Sequence, residues 1–103
     1  MLNISILCVG KLKERFYTEA AAEYVKRLGG YCRLNLAELP EERLPERPSR
    51  AQIDAALVRE GEALLQRIPK GALAVALCVE GRLLSSEDLA RRMSGWMLEG
   101  RSS

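Results

Sequence analysis

Residues 72–79 read "ALAVALCV", eight apolar residues in a row with no polar alternation. The run is far shorter than the roughly 18 apolar residues that cross a bilayer. Apolar on both faces, it has the pattern of a strand covered by helices on both sides and flanked by other strands. Such a run needs an α/β sheet around it. It ends at Glu80 and Gly81, ahead of the serines Ser85 and Ser86. The carboxyl end of a strand is where open α/β sheets place ligands, so this bend is the first candidate site.

The rest of the chain supplies such a sheet. Residues 3–9, "NISILCV", read as a strand, and "GK" then breaks into a segment with Tyr17, Ala21, Tyr24, Val25 and Leu28 at helical spacing. Gly29 and Gly30 are expected to end that helix as glycine caps. Residues 31–39, "YCRLNLAEL", alternate apolar and polar, which predicts a strand with one wetter face. "PEERLPERPS" holds three prolines and reads as a surface loop. Ser49 and Gln52 form a capping box, and Ile53, Leu57, Leu64, Leu65 and Ile68 continue an amphipathic helix to about Arg67. Gly61 inside it costs up to about 1 kcal/mol relative to alanine, which close packing against a neighbour would explain. Ser85 with Asp88 caps a third helix carrying Leu89, Met93, Trp96 and Met97, stopped by Gly100. The predicted order is β-α-β-α-β-α, a single α/β domain over residues 1–103 with a parallel sheet and flanking helices. A folded chain of this size is expected to bury about 60–70% of its unfolded surface.

Composition narrows the chemistry. There is no histidine, which removes the commonest general base, the commonest metal ligand and every Ser-His or Cys-His nucleophile pair. Cys8, Cys32 and Cys78 are odd in number and set among apolar residues, so they read as buried reduced thiols, and no metal site is expected. The N-terminus has no secretory pattern, so a cytoplasmic protein without a membrane segment is expected. A net charge of +2 predicts little by itself, but Lys11, Lys13, Arg15, Lys26, Arg27 and Arg33 cluster in the first third.

"VGKLKERF" puts a glycine and two lysines between a strand and a helix, yet lacks the glycine spacings of a phosphate loop. A strand-to-helix turn with solvated lysines is the plain reading, and contact with an RNA backbone the functional one. Glu80 reads first as a turn residue, Ser85 and Ser86 as helix caps, and Trp96 and Met97 as core or interface.

Three blocks carry a resemblance: "ISILCVGKLKERFYTEAAAEYVKRLGGYCRLNLAELPEE", "EGEALLQRI" and "LCVEGRLLSSEDLA". In this order they resemble the RlmH family of SPOUT-class methyltransferases. Those enzymes transfer a methyl group from S-adenosylmethionine to nitrogen-3 of a pseudouridine in large-subunit (23S) ribosomal RNA. The resemblance implies an α/β-knot fold, a cytoplasmic homodimer, S-adenosylmethionine as cofactor and ribosomal RNA or the ribosome as partner. Leu77 matches a leucine lining the family's cofactor site and Gly81 the glycine of the following turn. Cys78 stands where the family commonly has an acidic residue. Lys11, Lys13 and Arg15 are the candidates for RNA contact; catalytic residues are not assigned. The family pattern continues beyond residue 103 into a glycine-rich loop and the knot, so the expectation is a chain incomplete for catalysis. The alternative is a non-catalytic remnant acting as a self-associating or RNA-contacting module.

Overall fold

The computed structural model describes residues 2–103. In it β1 (Leu2–Val9) leads through a turn to α1 (Arg15–Leu28), then β2 (Cys32–Leu39), α2 (Arg50–Gln66) and α3 (Ser86–Leu98). β1 and β2 pair in parallel, in register from Leu2 opposite Cys32 to Val9 opposite Leu39. The molecule is thus mixed α/β, with a parallel two-stranded sheet and three helices. α1 is the crossover between the two strands, as parallel pairing requires.

Local chemistry sets the helix ends. At α2 the Ser49 hydroxyl accepts from the Gln52 N–H at 3.1 Å, while the Gln52 side chain accepts from the Ser49 N–H at 2.8 Å, the reciprocal capping box. At α3 the Ser85 hydroxyl accepts from the Asp88 N–H at 3.1 Å. Its other end is a Schellman turn: Gly100, at φ 88°, donates to the Met97 carbonyl, and Arg101 to that of Trp96. Gly29 departs from the expectation for α1. It keeps a right-handed φ of −58°, and the helix ends instead in a turn in which the Tyr31 N–H donates to the Leu28 carbonyl.

The expected third strand is the main difference. Residues 73–79 carry no regular hydrogen-bonding pattern, and Ala74 to Glu80 are exposed. The reason is that a strand exists only through its ladder, and neither β1 nor β2 lies directly against this run. Cys78 is therefore exposed; of the expected core thiols only Cys32 is buried, with Cys8 half-buried. Gly61 also differs: a Cβ built there meets nothing within 4 Å, so no close neighbour accounts for it.

The core is correspondingly thin. Buried apolar residues among those described are Cys32, Ala37, Leu39 and Ala56. The accessible surface is 9108 Å², against about 5,800 Å² expected for a folded monomer of this mass, so burial is about 45% of the unfolded surface and not 60–70%. No helix among the described residues is long and apolar enough to cross a membrane.

Candidate functional site

Two segments carry the candidate residues. The first is the turn from β1 into α1. Gly10 closes the β1–β2 ladder by donating to the Leu39 carbonyl at 2.8 Å, then turns the chain with φ 93°, a conformation that favours glycine. A side chain there would also meet the Glu41 carboxylate, 2.6 Å from an ideal Cβ. This sharp exit leaves Lys11 and Lys13 exposed at the carboxyl end of the sheet. Arg15, the first residue of α1, is equally exposed, but its Nε donates to Glu19 Oε1 at 2.9 Å.

With Glu41 beside Gly10, three carboxylates stand around this turn. Besides Glu19, Glu38 Oε2 accepts from the Leu12 N–H at 3.1 Å, so one backbone donor of the turn is already used. An incoming phosphate would meet two free lysines, a tethered arginine and a nearby carboxylate. That arrangement suits a backbone contact made by point charges and not an enclosed phosphate cradle.

Behind the turn, α1 stands off the sheet and leaves an apolar cavity of about 300 Å³ lined by Ile6, Tyr24, Val25, Leu28, Leu34 and Leu36 among others. It is a gap in packing with scarcely any polar surface. Lys11 of the turn and Glu38 of β2, with Lys26 and Thr18 of α1, edge the adjoining groove.

The second segment is the bend after residues 72–79. Leu77 is 94% exposed. The Gly81 N–H donates to the Cys78 carbonyl at 3.0 Å, which makes the bend a tight turn. A Cβ on Gly81 would lie 3.1 Å from that carbonyl oxygen, closer than ordinary contact. Leu77 thus presents a bare apolar side chain beside the tight turn at Gly81. Around them no charged or polar side chain is hydrogen-bonded into a pocket.

No hydrogen bond or ion pair among the described residues joins the two segments. No group of three His, Cys, Asp or Glu side chains suited to a metal occurs among the described residues. Sequence reasoning missed the carboxylates of Glu19 and Glu38 beside the basic turn. The i,i+4 spacing from Arg15 to Glu19 was a signal for the first, whereas Glu38 arrives across the strand pairing, which no local pattern marks.

Comparison with known proteins adds the family. The model described as "Predicted SPOUT methyltransferase" matches residues 2–103. A protein of Pelotomaculum thermopropionicum called ribosomal RNA large subunit methyltransferase H is 42% identical over 102 residues, 99% of this chain and 64% of the relative. Proteins of the same name from two strains of Limosilactobacillus reuteri are 40% identical over 101 residues, 98% of this chain and again 64% of theirs. The chain therefore spans somewhat less than two thirds of the length of these relatives.

Proposed function

The chain belongs to the SPOUT methyltransferase family, and from that premise we propose that it serves S-adenosylmethionine-dependent methylation of a pseudouridine in large-subunit ribosomal RNA, as one α/β unit of a cytoplasmic homodimer. The match to the family over residues 2–103 carries this reading. Its relatives' names point to ribosomal RNA as the substrate.

S-adenosylmethionine supplies the methyl group when bound. The residues of this chain bind and orient. Leu77 offers an apolar face to the cofactor, and Gly81 forms the tight turn beside it, where a side chain would press on the Cys78 carbonyl. Lys11 and Lys13 hold RNA phosphates as mobile point charges, and Arg15 joins them once released from Glu19. Methyl transfer to a ring nitrogen asks mainly for alignment of donor and acceptor, with one proton to remove, so the reaction class tolerates the absence of histidine from these residues.

Leu77 and Gly81 make one wall and not a pocket, so these 103 residues alone are expected to bind the cofactor poorly and to be inactive. Calorimetric titration of the chain with S-adenosylmethionine tests this. Absence of heat fits the one-wall reading, and micromolar binding overturns it. The family activity is tested by joining the chain to the remaining segment of the Pelotomaculum relative and assaying methyl transfer to large-subunit RNA. Transfer supports the reading, and a well-folded hybrid that binds the cofactor but methylates no RNA refutes it. The bare side chains of Leu77, Val79 and Leu83 favour a second reading, a self-associating module without catalysis. Dimerisation together with an inactive hybrid would select it.

A further inference from the structure

Leu12 stands between the two exposed lysines of the basic turn, and it is held twice. Its side chain lines the apolar cavity behind that turn. Its N–H donates to Glu38 Oε2 at 3.1 Å. Lys11 and Lys13 leave the chain on either side of this anchored residue, so the anchor decides where both ammonium groups can reach.

Glu38 suits that task by its place in the fold. It is the penultimate residue of β2 and is paired in register with Cys8 of β1. The turn begins directly after β1, where Gly10 donates to the Leu39 carbonyl and turns the chain with φ 93°. The Glu38 carboxylate therefore reaches Leu12 from a hydrogen-bonded strand, and a group carried on a strand is placed more closely than one on a loop. Glu41 makes the contrast. Its carboxylate lies beside Gly10, yet among the described residues it makes no hydrogen bond to the turn. Its loop is tied instead to α2: the Glu42 N–H donates to Glu60 Oε2 at 3.0 Å, and Arg59 Nε lies 3.3 Å from Glu42 Oε2.

Charge alone argues against a carboxylate at this place. A negative group close to lysines that meet phosphate repels the ligand. What offsets the repulsion is order, because lysines on a mobile turn lose more freedom on binding than lysines on a fixed one.

We propose that Glu38 is a positioning residue for the RNA contact: by holding the Leu12 amide it fixes the main chain from which Lys11 and Lys13 meet phosphates, against the repulsion of its own charge. The inference rests on the reading of these lysines as RNA contacts. The two effects of Glu38 are opposed and separable, because a glutamine amide oxygen accepts the same hydrogen bond without the charge.

Binding of an oligouridine of about a dozen nucleotides, read by fluorescence anisotropy at low salt, tests this with Glu38→Gln, Glu38→Ala, Glu41→Gln and Glu41→Ala. Glu38→Gln is expected to bind up to about threefold more tightly than the unsubstituted chain, a gain that shrinks as salt rises. Glu38→Ala is expected to bind about two- to tenfold more weakly than Glu38→Gln, while the two Glu41 variants bind alike. Amide hydrogen exchange at Leu12 should quicken in Glu38→Ala and stay slow in Glu38→Gln. Adding Lys11→Ala and Lys13→Ala to each Glu38 variant separates positioning from support of the fold. The gap between glutamine and alanine closes if Glu38 acts through the lysines and persists if it only stabilises the chain. A persistent gap, equal affinities of the two Glu38 variants, or unchanged Leu12 exchange in Glu38→Ala overturns the proposal. Failure of the RNA-contact reading has its own mark: with Glu38 intact, the chain lacking both lysines then binds oligouridine no differently from the unsubstituted chain, and the proposal falls with its premise whatever Leu12 shows.

Discussion

At the scale of single residues, local chemistry decides. Ser49 closes α2 through two reciprocal hydrogen bonds, and a cap of this kind contributes about 1 kcal/mol. Ser49→Ala should therefore lower the helix content and shift urea unfolding by about that amount, with Ser49→Asp restoring it. The basic turn makes a graded prediction. Lys13 has no carboxylate partner, whereas Arg15 is held by Glu19 at 2.9 Å. Lys13→Ala should flatten the log–log salt dependence of single-stranded RNA binding by about 0.7, the weight of one phosphate contact. Arg15→Ala should flatten it less, because part of its attraction to phosphate offsets the loss of Glu19. Equal slopes for the two variants would show that the ion pair does not compete. The cap was legible in the sequence because a serine three positions before a glutamine needs no distant partner; the Arg15–Glu19 pair is just as local, but the sequence reading passed over it.

At the scale of elements, what was legible divides along the same line. α1 follows from periodicity, α2 and α3 from periodicity and serine caps, and the paired strands from their apolar patterning, all written within a few residues. The run 72–79 announces its burial but not its partners, and a ladder with partners far off in sequence forms only where they are placed. Of the candidate site, Leu77 and Gly81 were named through resemblance, while the exposure of Leu77 follows from that unpaired run. Gly61 teaches the opposite lesson. A glycine within a helix suggested a close neighbour, yet open space surrounds its Cβ position. With no contact to lose, Gly61→Ala should stabilise α2 by about 0.5–1 kcal/mol through propensity alone. A loss of stability on urea titration would mean that a neighbour does pack there.

At the scale of the whole molecule, area settles how firmly these elements are held. The radius of gyration is 16.2 Å, against about 13 Å for a compact chain of this length. The surface excess is about 3,300 Å², well above the roughly 800 Å² that one partner contributes to a standard interface. Unfolding enthalpy scales with what folding buries. A fully packed chain of this length would absorb about 70 kcal/mol near 60 °C. Reduced in proportion to its burial, this one should absorb no more than about 50 kcal/mol, in a broad transition and at dilutions where it is monomeric. Scanning calorimetry reads the quantity directly. A sharp peak near 70 kcal/mol would mean that the monomer closes over the apolar side chains of Val75, Leu77 and Val79 by itself.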